Sequence, residues 1–338
     1  MVIVIGATGF IGMYTVEKLI TSGKKVLATG RNSDLGQMLV EMGAEYQMLD
    51  ITRKADFDML PKEGVEAVLL LAGLLPANAK VDLEQDENAA DYFSVNVIGT
   101  INVLEYCRKN GIRKVIGCCS YSDVAGAWKK GYAIKESEPR NFHFIGDHAV
   151  YVISKNAAND VMEYYNQQHH MQCAWFRFPP VYGVGPHSTI YVNGKAYKSG
   201  IQTFIENAQA GKDIELWGDP HICRDIIYVK DVADAFNKAI DSDKTYGLYN
   251  MTSGTELDLE QQAQAVIQVF GDPKKSHIVY CPEKRNNTPS FLFDMSKAHE
   301  DFGFVPQYTS YIDMMKDYKM EMESKRWERL IEDRRKTD

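Results

Sequence analysis

The sequence predicts an α/β protein: a doubly wound parallel sheet with a smaller α+β part toward the carboxyl end. Three observations predict it. Four apolar residues at the amino terminus, Val2-Ile3-Val4-Ile5, run straight into glycines spaced G-x-x-G-x-x-G at Gly6, Gly9 and Gly12. Short β-branched runs then alternate with helical stretches as far as Phe178, the order of a parallel sheet with helical crossovers. Beyond Phe178 the alternation breaks at Pro179-Pro180-Val-Tyr-Gly-Val-Gly-Pro186, which suits neither a helix nor a central strand and reads as a loop leaving the sheet.

Taken in order, Val2 to Ile5 is a strand apolar on both faces, as expected at the centre of a parallel sheet. It hands over to a helix through the glycines. Gly6 takes the tight turn, Gly9 leaves room for a pyrophosphate against the backbone, and Gly12 lets the helix pack closely on the strand. Free amides at the helix start then face the phosphates, where the helix dipole also favours negative charge. This is the opening of a Rossmann-type dinucleotide site, with Gly6, Thr8, Gly9, Phe10, Ile11 and Gly12 as its expected contacts. Gly23 ends the helix, and Lys25 to Thr29 is a second strand reaching Gly30-Arg31. An acid at this tip binds the ribose hydroxyls of NAD, whereas an arginine accepts a 2′-phosphate. Here the acid is missing and Arg31 stands next to Gly30, which favours NADP over NAD.

A third strand, Glu45 to Leu49, ends at Asp50-Ile51, where a carboxylate can accept from the adenine amino group. The fourth, Val65 to Leu71, ends at Ala72-Gly73, small residues that let the backbone approach the cofactor. A helical stretch from Ser94 to Asn110 follows, with Val97, Ile101 and Leu104 at helical spacing. Lys114 to Ser120 is the fifth strand, Val150 to Gln168 a long helix, and Gln172 to Phe178 the sixth strand, after which Pro179 and Val181 are expected beside the cofactor. Ligands belong at the carboxyl ends of these strands. Residues 1–178 are thus the expected dinucleotide-binding part, with room for later segments to return to it, and 179–338 the substrate-binding part. The latter mixes helices (201–210, 229–240, 259–270) with short strands such as 213–217, and the charge-rich stretch 311–338 is expected to end as a solvated helix.

Composition excludes several classes. With 45% hydrophobic residues, 25% charged residues and a net charge of -8, the chain presents no basic face, so nucleic acid is not an expected partner. The strongest apolar run, Val68 to Leu75, stops at Pro76 and is too short to span a bilayer. No basic segment precedes the first strand, so no membrane association and a cytoplasmic location are expected. The six cysteines form no C-x-x-C and read as reduced thiols. His169-His170 has no third ligand nearby, so no metal site is expected.

The chemistry is expected at Tyr151 and Lys155, one helical turn apart on the long helix and so on the same face. A phenol is a poor base near neutrality unless nearby positive charge stabilises the phenolate. Lys155 supplies that charge, so Tyr151 can exchange a proton with a substrate oxygen while hydride moves at the adjoining carbon. Tyr14/Lys18 and Tyr191/Lys195 share the spacing, but neither lies on the helix between the fifth and sixth strands.

With these residues in place the chain resembles the extended short-chain dehydrogenase/reductases of the NAD-dependent epimerase/dehydratase family. The resemblance runs through Gly6 to Gly12, Asn96 to Thr100, Tyr151 to Lys155, Arg177 to Pro186, Arg224-Asp-Ile-Ile-Tyr-Val229, Tyr249-Asn250, Phe293 to Lys297 and Phe302 to Pro306. It implies that Asn96 lies under the active site near the cofactor, and that Arg224 and Arg285 grip the diphosphate of a nucleotide-sugar substrate, a task suited to the planar guanidinium fork. Homodimers are common among such proteins. Three departures mark this chain. The family's catalytic Ser or Thr position holds Tyr121, leaving Ser122 as the nearest substitute. The adjacent Asp-Glu pair of the dehydratases is Ser122-Asp123, which favours epimerisation or ketone reduction over loss of water. The Asn that often precedes Val-Tyr-Gly is Pro180. The expected activity is therefore hydride transfer at a secondary alcohol or ketone of a nucleotide sugar, as an epimerase or 4-ketoreductase. Two other readings are an NADPH-dependent reductase of a ketone without a nucleotide, as in hydroxysteroid and flavonoid reductases, and a non-catalytic NADP-binding redox sensor.

Overall fold

A computed structural model of the chain describes residues 1–78, 89–129, 131–146, 148–192, 194–286 and 289–336. Seven strands make the central sheet: β1 (Val2–Ile5), β2 (Val26–Gly30), β3 (Glu45–Met48), β4 (Ala67–Leu70), β5 (Lys114–Ser120), β6 (Gln172–Phe178) and β7 (Gly247–Asn250). Their order is β7-β6-β5-β4-β1-β2-β3, and every pairing is parallel. The expected doubly wound α/β architecture is present. The order reverses between β1 and β4, the switch point at which such sheets bind ligands.

Alternation along β1 distributes the core. Val2 and Val4 pack on one face with α1 (Phe10–Thr21) and the helix Val229–Asp241; Ile3 and Ile5 pack on the other with Val103, Leu104, Met162 and Tyr165. The last four belong to α2 (Gly99–Lys109) and α3 (Ala149–His169). Both faces are therefore covered, which explains the unbroken apolar run in the sequence. Instead of one regular helix from Ser94, the chain makes a π-helical segment, Phe93–Ile98, before α2 begins. Such wide turns occur chiefly where function displaces a residue from the regular ladder.

Two expectations fail. The stretch after β6 is not all loop: Val181–Tyr182 pairs in parallel with Ile227–Tyr228, because its last prolines, at 180 and 186, flank the two ladder residues and leave their amides free. The charge-rich end is not a solvated helix either. Met314, Met315 and Tyr318 of α4 (Tyr311–Ser324) and the following Trp327 are buried in the core shared with α1. Several of the charges that suggested solvation are matched, Arg326 with Glu17 on α1 and with Glu321 of its own stretch, and Arg329 with Glu41. Residues 337 and 338 of that stretch lie outside the described residues. The chain also returns after residue 178 to place β7 on the sheet edge, a strand too short for its period to be read.

Candidate active site

A single cleft of about 1480 Å³ runs across the carboxyl ends of the strands. The glycine turn forms one end. Gly6 adopts φ +85°, and a Cβ there would lie 2.4 Å from the Ala72 nitrogen; one on Gly12 would lie 2.4 Å from the Gly6 oxygen. Only glycine fits either position. Gly9 is less crowded, but a Cβ there would still sit 3.3 Å from the Gly6 oxygen, a tight contact with backbone. It is also the N-cap of α1, and no side chain caps that helix start, so the first amides face the cleft. A backbone cradle with uncapped amides at a helix start fits a dinucleotide's phosphates.

The tip of β2 shows why it carries no acid. A Cβ on Gly30 would lie 2.4 Å from the Thr8 hydroxyl oxygen, so the phosphate-turn threonine occupies the space. Arg31 beside it is exposed and lines the cleft. Asp50 lines it too, its carboxylate accepting from the Thr52 N–H at 3.0 Å and hydroxyl at 2.7 Å. Burial pushes the Asp50 carboxyl up, but those two donors and the charges of Arg31 and Arg53 hold it below its ordinary value. Ile51, Leu71, Ala72, Gly73, Pro179 and Val181 also line the cleft.

Asn96 alone of the sequence-predicted cofactor residues does not line the cleft. It is 2% exposed and works from behind. Its side chain accepts from the Leu74 N–H at 2.8 Å and donates to the Leu74 carbonyl at 3.1 Å and the Ser154 hydroxyl at 3.0 Å. Ser154 in turn donates to the Tyr151 carbonyl at 2.8 Å. The π-helical turn thus joins the loop after β4 to the helix that carries Tyr151.

Tyr151 and Lys155 both reach the cleft, next to Cys118, Cys119, Ser120, Tyr121 and Ser122 at the end of β5. Tyr14, of the first competing pair, is instead buried under α1 with its hydroxyl on the Val184 carbonyl at 2.9 Å. Burial, with the Cys118 and Cys119 thiols next, raises the Tyr151 phenol well above its ordinary value. Burial also lowers the Lys155 ammonium, against the opposing pull of the same two thiols. The protein by itself therefore keeps the proton on Tyr151, and the assistance expected of Lys155 must overcome burial. Ser122 is half-buried, its N–H tied to the Ser120 hydroxyl at 3.2 Å. Tyr121, in the motif's hydroxyl position, is held by Trp128 stacked at 5.5 Å and Phe291 at 5.4 Å.

Farther along, Arg224 donates to the Tyr182 hydroxyl at 2.7 Å, which donates to Gln262 at 3.2 Å. Among the described residues no carboxylate pairs with Arg224. Its Nε, the Gln262 amide nitrogen and the Tyr311 hydroxyl are buried without a partner. An uncompensated guanidinium in a cleft is costly unless an anion completes it. Arg285 lies exposed at the mouth of the same cleft. Asp123 does not face it: its carboxylate is 2.7 Å from Arg177, both groups nearly fully buried, and Arg177 also donates to Asn250 at 3.1 Å. The sequence reading missed Tyr182, Gln262 and Tyr311 around Arg224, and Asn32, Leu330 and Asp333 near Arg31. Lone aromatic and amide residues carry no spacing signal.

Among the described residues no group of His, Cys, Asp and Glu could hold a metal ion, and no helix is long and apolar enough to cross a membrane. Among the described residues the six cysteines form no disulfide.

Known proteins share this architecture. The sequence pattern of the NAD dependent epimerase/dehydratase family matches residues 2–252. The chain is 26% identical over 312 residues to UDP-glucose 4-epimerase of Mycolicibacterium smegmatis, covering 90% of this chain and 93% of that protein. It is equally 26% identical, over 318 residues, to dTDP-4-dehydro-6-deoxy-D-allose reductase of a Streptomyces species, covering 90% of this chain and 91% of the relative. In structure it is similar to UDP-glucose 4-epimerase of Thermotoga maritima, with a TM-score of 0.77 at 22% identity over 96% of this chain and 98% of the other. The glycine turn, the Tyr151/Lys155 pair and a pattern spanning most of the sequence lead to one assignment: the chain belongs to the NAD dependent epimerase/dehydratase family.

Proposed function

We propose that this enzyme carries out redox chemistry at a secondary alcohol or ketone carbon of a nucleotide sugar, as a 4-epimerase or a 4-ketoreductase. The relatives include both a UDP-glucose 4-epimerase and a dTDP-sugar reductase, which supports that range of activity. The observation that carries it is Arg224, half-buried, with no carboxylate partner among the described residues and with its Nε buried and unpartnered, placed in the same cleft as the glycine turn and Tyr151. A diphosphate between nucleoside and sugar supplies the missing anion, and Arg285 adds a second, exposed contact.

The roles follow from position. Gly6 to Gly12 would hold the dinucleotide's phosphates, with Asp50, Ala72 and Gly73 along its adenosine and ribose portions. The nicotinamide, when bound, supplies the hydride exchange and a positive charge in its oxidised form. Tyr151 gives a proton to the substrate oxygen when a ketone is reduced and takes one when an alcohol is oxidised. Lys155 steadies the phenolate in the second direction, and Ser122 holds the substrate oxygen. Asn96 is a positioning residue: it ties the Leu74 backbone to the Ser154–Tyr151 turn. Asp123 is committed to Arg177, which leaves no acid at the dehydratase position and argues against elimination of water. Arg31 by itself favours NADP. The same reading places the nucleotide cofactor on residues 1–178, the sugar against 179–338, and the protein in the cytoplasm as a homodimer.

The test is turnover of UDP- and dTDP-hexoses and their 4-keto forms by wild type and Tyr151→Phe. The variant is expected to lose activity by roughly 10²–10⁴-fold while binding dinucleotide as before. Undiminished turnover would refute the role of Tyr151. Conversion of a sugar without net consumption of added dinucleotide marks an epimerase, and stoichiometric consumption a reductase. Activity on free ketones that is indifferent to Arg224→Ala would favour the reading without a nucleotide.

A further inference from the structure

The last helix, α5 (Glu328–Lys336), brings Leu330 and Asp333 into the lining of the cleft, where Asp333 meets Asn32 just past the tip of β2. Its anchor is Trp327, fully buried with its ring 4.5 Å from that of Tyr14 on α1, its indole N–H donating to Glu321 at 3.0 Å. Arg326 joins Glu17 of α1 to Glu321, and Arg329 reaches Glu41 at 3.2 Å. From this footing Leu330, 4% exposed, and Asp333 enter the cleft lining beside Arg31 and Asn32. Asn32 fixes the carboxylate: its side-chain amide donates to Asp333 Oδ1 at 2.6 Å, while its oxygen accepts from the Leu35 N–H at 2.9 Å. Both ends of Asn32 are used, so its orientation and that of Asp333 are set together.

We infer that Asp333 is a specificity residue of the dinucleotide site, delivering from the far end of the chain the carboxylate that the tip of β2 lacks, so that the site takes NAD in preference to NADP. This rests on reading the cleft as a dinucleotide site. In that site an acid at the β2 tip accepts from the adenosine ribose hydroxyls and repels a 2′-phosphate. Gly30 cannot carry one, because Thr8 fills the space a side chain would need. Asp333 stands two residues along, held on Asn32. Arg31, the residue that favours a 2′-phosphate, lies close enough to Asp50 for its charge to act on that carboxylate, and its chain neighbour Asn32 holds Asp333. Bringing a phosphate dianion beside these carboxylates sets like charges together, a cost that a single exposed guanidinium offsets only in part.

The experiment is fluorescence titration of the full-length protein, freed of bound dinucleotide, with NADH and with NADPH, for wild type, Asp333→Asn and Arg31→Ala. Wild type is expected to bind NADH more tightly, and Asp333→Asn to shift the NADPH/NADH affinity ratio toward NADPH by about tenfold or more. Thermal melting of the same variant checks that α5 stays docked, since asparagine retains an acceptor for Asn32. Arg31→Ala is expected to weaken NADPH further and leave NADH little changed. A wild type that prefers NADPH, or an unaltered ratio in a stably folded Asp333→Asn, overturns the inference while leaving the proposed function standing. Binding of neither dinucleotide by wild type overturns both.

Discussion

The two ends of the cleft are built differently. At the glycine-turn end, consecutive backbone groups face the cleft, and what matters is the absence of side chains at Gly6 and Gly12. At the other end, which we propose takes the substrate, Arg224, Tyr182, Gln262 and Tyr311 come from four separate segments and meet through their side chains. A backbone site is secured by sheet and helix geometry alone, whereas a side-chain site depends on how distant segments dock. Beneath the side-chain end, the buried Asp123–Arg177–Asn250 connection ties the end of β5 through β6 to β7.

The sharpest way to break this comparison is to cut that connection. Arg177→Met leaves Asp123 buried without its partner and is expected to cost about 3–5 kcal/mol, read as a lower urea midpoint, with any folded protein still binding dinucleotide better than substrate. A loss under about 1 kcal/mol would mean the pair is not holding the substrate end. At the other end, Gly12→Ala puts a methyl 2.4 Å from the Gly6 oxygen, a backbone atom that cannot swing aside. The expected cost is about 1–3 kcal/mol together with weakened dinucleotide binding, checked by melting and titration. Unchanged binding would show that the turn is looser than its contacts imply.

A smaller effect separates the ends by pH. Asp225, next to Arg224 in the chain, accepts from the Thr252 hydroxyl and from the Phe293 N–H at 3.0 Å. Burial raises its carboxyl to about 7, in spite of the lowering effect of those donors. A folded-state value above the unfolded one means the folded chain holds the extra proton, so this contribution is full below about pH 4 and lost as pH rises through about 7. Between pH 6 and 8 the loss is about 1.4 kcal/mol. Asp225→Asn keeps an acceptor for both donors and is expected to remove that part of the pH dependence of stability. An identical slope in wild type and variant would place the titration elsewhere.

The same contrast explains what could be read from the sequence. The strand–turn–helix at Val2 to Gly12, the strand order through β6 and the Tyr151/Lys155 spacing are local patterns, and backbone geometry follows from local patterns. The proposed roles of Arg224 and Arg285 came from resemblance, not from spacing. The partners of Arg224 were missed because a tyrosine or glutamine becomes part of a site only through tertiary packing. The carboxyl-terminal helix was misread for a related reason. Its charges resemble a solvated surface until Glu17, Glu41 and Asn32, roughly three hundred residues away, are seen to face them.

The central claim is that the glycine turn and Tyr151 serve one reaction across one cleft. A crystal structure with NAD and UDP-glucose tests it most directly. The account predicts the pyrophosphate on the Gly6–Gly12 turn, the sugar diphosphate on Arg224, and the nicotinamide carbon that carries hydride about 3–3.5 Å from a sugar carbon whose oxygen meets the Tyr151 hydroxyl. A dinucleotide bound away from the turn, or a sugar seated beyond reach of Tyr151, would contradict it.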